Sequence, residues 1–451
     1  MKPFIVIQGP VATRSGYGNH TRDLATALIR ADKYDIQLIS LPWGVTPMNA
    51  LQSDNTDHME IVKRIATKPI TRQPDVFIQV SVPNEFGIGP DGKPFRAGKY
   101  NIGVTAGIET TAVSAEFLQG ANRMDLIITT SEHSKKGFVD TMFDAVDNKT
   151  KQKTGQLKLE KPIEVLFEGV DLNTYKKLDT IQDKVSTELR HIKDNFCYLF
   201  VGHWLKGDIG QDRKDVGMMI KTFCEAFKRK SAKNRPGLIL KTSHAHFSII
   251  DRDEIMKKIQ SVIKPYGKDI PNIYLLHGDM TDSEMNTLYN HPKVKAMVSF
   301  TKGEGFGRPL AEFARTGKPI IASNWSGHVD FLHKDYCVLL PGELTKVHDS
   351  AADQFILKDT NWFTVNYAYA AKILQDVITN YKGYLEKSRK MPHHMKKYFS
   401  LERMADQFCK IVDKGLENVP QQVGLKLPKL SKMTKTEDKK IKLPKLKKVE
   451  I

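Results

Sequence analysis

Residues 296–323 read Ala-Met-Val-Ser-Phe-Thr-Lys-Gly-Glu-Gly-Phe-Gly-Arg-Pro-Leu-Ala-Glu-Phe-Ala-Arg-Thr-Gly-Lys-Pro-Ile-Ile-Ala-Ser. An apolar run of strand length (Ala296–Phe300) enters a turn with glycines at 303, 305 and 307. A short helical stretch follows, and Gly317-Lys318-Pro319 opens a second strand. Pro309 suits the first helical position, where a missing N–H costs nothing. The N–H groups of residues 307–310 then point out of the helix start at the carboxyl edge of a sheet. Aligned donors and the helix dipole make such an end an anion site. The three glycines admit a close backbone approach by a ligand.

The same alternation extends in both directions. Strand candidates in the first half are Phe4–Ile7, Ile36–Ser40, Asp75–Val80, Asn101–Val104, Leu126–Thr130 and Ile163–Phe167. In the second half they are Tyr198–Val201, Leu238–Lys241, Ile273–Leu276, Ala296–Phe300, Pro319–Ser323 and Cys337–Leu340. Helical patterns separate them, the sign of βαβ units and parallel sheets. The expected fold is α/β, with two Rossmann-like doubly wound lobes facing a central cleft. The lobes are expected at 1–190 and 191–375, joined through a polar hinge in Leu172–Asn195. The chain is expected to turn mostly helical after Leu340, with helices over 376–418 packing across the lobes. Met404, Phe408 and Ile411 share a helical face there, and Ser400 is its candidate N-cap. Asp147–Glu160 reads as a polar surface insertion in the first lobe.

The 451 residues suffice for two such cores, and no run approaches a membrane span. The first apolar run stops at Gln8-Gly9-Pro10 and reads as a buried strand, not a signal peptide. Cys197, Cys224, Cys337 and Cys409 lack metal or redox spacing, which fits small buried hydrophobes in a reducing, cytoplasmic compartment. Net charge is +17, so an anionic partner is expected. Residues 421–451 hold ten lysines against Glu437, Asp438 and Glu450, which is +7 and leaves +10 on residues 1–420. Lys-Leu-Pro-Lys-Leu occurs there twice, at 426–430 and 442–446. Proline and like-charge repulsion predict an unstructured basic tail over 419–451, a solubility device or a tether to a polyanion.

Glu304 and Glu312 are separated by seven residues, one before the helix and one about a turn inside it. Both can face one cleft, and a carboxylate accepting two hydroxyl donors suits sugar and ribose diols better than phosphates. A plain strand–turn–helix with two solvated glutamates is the alternative. The joint presence of three glycines, the proline and the glutamate pair argues against it. This segment resembles the nucleotide-sugar signature of retaining family 4 glycosyltransferases of the GT-B architecture, Glu-Gly-Phe-Gly-x-Pro-x-x-Glu. The resemblance implies that Glu304 contacts hydroxyls of the transferred sugar and that Glu312 holds the ribose diol. It places Phe306, Gly307, Arg308, Pro309 and Leu310 at the donor diphosphate, with Ser326 and Gly327 in a loop beside the donor. Gly169-Val170-Asp171 resembles the family's Asn-Gly-Val-Asp hinge entry, with Glu168 in place of Asn. Val201-Gly202 and Asp212-Arg213-Lys214 resemble the first loop of its donor lobe, where Lys214 and an arginine neutralise the diphosphate. His203 stands where that arginine is usual, so Arg213 or Lys206 is expected to supply the charge. In the first lobe, Gly9-Pro10 and Ser15-Gly16-Tyr17-Gly18-Asn19 resemble the loop facing the donor, with Gly16 as a donor contact.

The implied activity is metal-independent transfer with retention, from a nucleoside-diphosphate sugar (a UDP-sugar is expected) as co-substrate and with no further cofactor. Glu109, after a strand, is a candidate acceptor contact or base, against the plainer reading of a loop carboxylate. His133 is a helix-start residue or an acceptor neighbour. His244 and His246 lack a third partner in the sequence, so no metal is expected. A sugar-nucleotide epimerase of the same fold and a non-catalytic polyanion binder are the rival readings. For the acceptor, the basic charge and the lysine-rich tail favour a hydroxymethylated base in phage-like DNA, which would have to be flipped out. A saccharide or lipid-linked saccharide at an anionic membrane surface is the alternative.

Overall fold

The computed structural model describes residues 2–147, 149–150, 152–181, 184–231, 234–244 and 247–419. His246 and the lysine-rich segment expected to form a tail lie outside the described residues. In the first lobe the order is β1 (Phe4–Gly9), α1 (Gly16–Ala31), β2 (Asp35–Ser40), α2 (Thr56–Val62), β3 (Val76–Val80) and β4 (Tyr100–Thr105). It continues with α3 (Ala115–Asn122), β5 (Leu126–Thr129), α4 (Glu132–Asp140), β6 (Met142–Val146), β7 (Lys153–Lys158) and β8 (Ile163–Val165). The second lobe holds α5 (Lys184–Leu189), β9 (Cys197–Val201), α6 (Val216–Phe227), β10 (Gly237–Lys241), α7 (Ile249–Ile263), β11 (Ile273–Leu276), α8 (Asp282–Asn290) and β12 (Val294–Ser299). Then come α9 (Arg308–Ala314), β13 (Ile320–Ser323), β14 (Val338–Leu340), β15 (Gly342–Lys346), β16 (Asn361–Val365), α10 (Tyr367–Thr379), α11 (Tyr381–Ser388), α12 (Met391–Tyr398) and α13 (Leu401–Glu417).

Six parallel strands form each main sheet, in the orders β2-β1-β3-β4-β5-β8 and β11-β10-β9-β12-β13-β14. All twelve strands expected from the sequence are in these two sheets. Their unbroken apolar runs, such as Val76-Phe77-Ile78 in β3, are covered on both faces, as parallel sheets require. One face of the first sheet packs Ile5, Ile7, Ile102 and Ile128 under α1 and under Met404, Phe408, Ile411 and Val412 of α13. Ser400 caps α13 by accepting from the Arg403 amide, so the last helix forms where its apolar spacing predicts. It returns across the molecule to the first lobe, where Asp413 accepts from the Tyr34 hydroxyl at 2.6 Å.

Two hairpins depart from the sequence reading. Segment 342–365 is not helical: β15 and β16 pair antiparallel directly after the second sheet. The polar insertion supplies β7, which pairs antiparallel with β6 just before it, and the pair is largely exposed. The stretch read as a hinge is partly packed: Val185, Leu189 and Ile192 join the core beneath α8 and α9.

Candidate active site

A cavity of about 440 Å³ lies between the carboxyl ends of the two sheets. Its walls follow strand ends: Ser15–Tyr17 after β1, Ala106–Gly107 after β4, Val201–His203 after β9, Lys241–Ser243 at β10, and Glu304–Pro309 after β12. That is where open α/β sheets take ligands. Glu304, Glu312, Lys214, Arg213, Glu109, His203, Gly16, Phe306, Gly307, Arg308 and Pro309 all line it. A more open groove of about 690 Å³, between residues 209–211 and β15, contains none of these side chains.

At one end Glu304 is ion-paired with Lys214 and lies 3.5 Å from Arg213. Arg213 also reaches Glu109 of the opposite lobe at 3.5 Å. Burial alone would raise the Glu304 carboxyl, but the charges of Lys214 and Arg213 outweigh it and hold it at about 2. His203 hydrogen-bonds Ser243 at 3.2 Å, and burial beside Lys214 and Arg213 lowers it to about 4. A neutral imidazole supplies no charge, so Arg213 is the cation that joins Lys214 at this end. Lys206 does not: it lies outside the cavity, bonded to the Ala352 carbonyl at 2.6 Å.

At the other end Glu312 accepts from the Tyr289 hydroxyl (3.0 Å) and from Arg308 (3.2 Å). Arg308 is shared: it also contacts Asp23 (2.8 Å) and Glu168 (3.3 Å), both from the first lobe. Its guanidinium is therefore a bridge between the lobes, not a free anion ligand. Three carboxylates around one cation are poorly compensated. Burial raises Glu312 to about 7 with Arg308 opposing, and does the same to Glu168. A further bridge crosses the mouth, where Arg14 meets Asp279 at 3.0 Å.

Several expectations need correction. The Leu310 N–H is not free; it donates to the Gly307 carbonyl at 3.0 Å, and α9 starts at Arg308, one residue before Pro309. Among the described residues, only the amides of Gly307 and Arg308 are left without a main-chain acceptor at this helix start. Leu310 is core, packed with Phe306 and Phe331. Ser326 and Gly327 lie behind the turn: the Ser326 hydroxyl accepts from the Glu304 amide (2.9 Å) and the Gly327 amide donates to the Glu304 carbonyl (2.9 Å). Neither lines the cavity. Glycines 303 and 305 meet protein, not ligand space. A Cβ at 303 would sit 2.0 Å from the Glu109 carbonyl oxygen, and one at 305 would sit 1.5 Å from that of Ala106. They let the two lobes touch main chain to main chain, and Thr130 reinforces the contact by donating to the Gly305 carbonyl at 3.2 Å. Gly16, by contrast, opens α1 beside the cavity with free space over its α-carbon.

His133 lies in the first turn of α4, its ring 4.4 Å from Trp325, outside the cavity and lowered to about 4 by burial. His244 pairs with Asp251 at 3.1 Å. Among the described residues no group of three His, Cys, Asp or Glu side chains is arranged to hold a metal ion. Lining residues that the sequence reading did not assign to the site include Tyr17, Tyr289, Lys241 and Asp282. Tyr17 falls inside the Ser15–Asn19 loop motif without having been singled out, and the other three sit on α8 or at the end of β10 without a motif. Only Glu168, out of place in a Gly-Val-Asp entry, carried a visible signal.

Two six-stranded parallel sheets around a central cleft constitute the GT-B fold. Solved structures share it. Sucrose-phosphate synthase from Thermosynechococcus elongatus superposes with a TM-score of 0.60 at 12% identity, over 92% of this chain and 99% of that one. A glycosyltransferase from Rickettsia africae gives 0.57 at 14%, over 92% and 99%. HepE of Anabaena, in complex with UDP and glucose, gives 0.55 at 13%, over 91% and 100%. No protein-family model and no curated protein sequence matches the chain. At these identities the likeness establishes the fold.

Proposed function

We propose that this chain is a glycosyltransferase that moves a sugar from a UDP-sugar to an acceptor hydroxyl with retention of configuration. The observation that carries this reading is the convergence of Glu304, Glu312, Lys214 and Arg213 on one inter-lobe cavity. Breaking a sugar–diphosphate bond requires charge stabilisation of the leaving group. Lys214 and Arg213, with the amides of Gly307 and Arg308, provide it. Glu304 receives sugar hydroxyls and Glu312 the ribose diol. The acceptor oxygen enters beside Glu109 and attacks the face the diphosphate leaves. The departing phosphate takes its proton, so no metal and no dedicated base is needed.

For the acceptor we propose DNA carrying a hydroxymethylated base. Its support is the +17 net charge. The test is incubation with a panel of sugar nucleotides, scoring nucleoside-diphosphate release with and without modified duplex DNA at two salt concentrations. Release that requires the modified DNA and weakens with salt is expected. Release driven equally by a saccharide acceptor would replace the DNA reading, and no release with any donor would remove the enzyme reading.

A further inference from the structure

The glycine turn and the Lys214 loop are tied together by a buried ion pair that lines no part of the cavity. Lys302, two residues before Glu304, is 1% exposed. Its amide donates to the Arg213 carbonyl at 2.8 Å, while its ammonium lies 3.5 Å from the Asp215 carboxylate. Lys302 thus grips the chain on both sides of Lys214. The ammonium also donates to the Thr364 hydroxyl at 2.8 Å, and the Lys302 carbonyl accepts from the Phe363 amide at 2.9 Å, anchoring the same residue to β16. Asp215 is wholly buried and left-handed, with φ of 53°, and it receives the Tyr367 hydroxyl at 2.6 Å.

None of this is a cheap way to hold a fold together. A left-handed aspartate is strained where glycine would not be. A buried ion pair is commonly no more stable than apolar residues of its size. One oxygen each of Asp212 and Asp215 is buried without a hydrogen-bond partner. The strain falls on Asp215, directly after Lys214, and buried charge on Asp215 and on Lys302, two residues before Glu304. The arrangement fixes where the Lys214 ammonium sits relative to Glu304, which keeps it available to a diphosphate in place.

Building on the function proposed above, we propose that Lys302 and Asp215 are positioning residues for Lys214 and set the affinity of the site for the donor diphosphate. They act through the 213–215 loop without touching the ligand.

The test compares D215G/K302M, K302M and D215N in the full chain, with binding of UDP, GDP and ADP measured by calorimetry. The double substitution removes strain and both charges, so its Tm should equal or exceed that of the unmodified chain. Its affinity for the preferred nucleotide should nevertheless fall at least about tenfold. K302M should be redundant with K214A, so that the two together bind no worse than K214A alone. D215N, which preserves shape, serves where K302M does not fold. A stable double variant whose affinity changes less than about threefold would overturn the proposal, as would additive effects of K302M and K214A. Failure of the unmodified chain to bind any of the three nucleotides would overturn the donor-site reading and this inference with it.

Discussion

Glu304 and Glu312 line the same cavity and are nearly equally buried, 8% and 6% exposed, yet their carboxyls are driven in opposite directions. Glu304 faces Lys214 and Arg213 and is held at about 2. Glu312 shares the single Arg308 with Asp23 and Glu168 and rises to about 7. Depth is the same at the two ends; the ratio of cations to carboxylates decides. A cation-rich end suits a ligand bearing phosphate charge. A carboxylate-rich end suits neutral hydroxyl donors.

The comparison breaks most readily at the cationic end. K214A should lower turnover by about 100- to 1,000-fold, the usual effect of removing one donor from a developing anion. Steady-state rates measure it, and near-normal kcat would discard the charge assignment. E312A should act mainly on donor KM, raising it by about 10-fold through loss of a buried hydrogen-bond acceptor. An unchanged KM would remove the diol from that end. D23N leaves both glutamates in place but takes one first-lobe partner from Arg308. It should weaken donor binding by about 3- to 10-fold, and unchanged calorimetric affinity would show that the bridge is idle.

Stability against pH sharpens the contrast by sign. Glu304 is depressed, so its contribution is present above pH ~4.5 and lost as pH falls toward about 2. E304Q should therefore lower Tm at neutral pH, with the deficit fading in acid. Glu312 is raised, so stability is highest below pH ~4.5 and declines as pH rises through about 7. E312Q should flatten that decline and gain on the unmodified chain above neutrality. Melting curves from pH 2 to 9 decide both, and matching signs would dissolve the distinction between the two ends. H203Q should have the smallest effect, below about threefold on turnover, because the imidazole ring, lowered to about 4 beside Lys214 and Arg213, is already neutral.

Much of this architecture is written locally in the chain. Continuous apolar runs such as Leu126-Ile127-Ile128 have one stable use in an α/β protein, and Ser400 before helical spacing marks a start. The hairpins are less legible. β15 is mostly exposed, with Leu344 its lone large apolar side chain, and residues 347–360 separate it from β16, so neither run length nor a tight turn announces the pair. Within the site, the glutamate pair and Lys214 are visible as a motif. Two of the partners of Arg308 are not, because Asp23 and Glu168 are far from it in sequence and come from the other lobe. The glycines at 303 and 305 show the same limit from another side. The need for a missing side chain is legible, whereas the neighbour that demands it, the 106–109 main chain, is not.

The return of α13 to the first sheet has a consequence for biosynthesis. Residues 4–165 cannot complete their own interior, since Met404, Phe408 and Val412 are made some 240 residues after β8. A nascent first lobe waits with one sheet face only partly covered, by α1, while the second lobe is translated. That interval is when chaperone engagement and aggregation compete for the chain. A chain cut before Leu401 never leaves it.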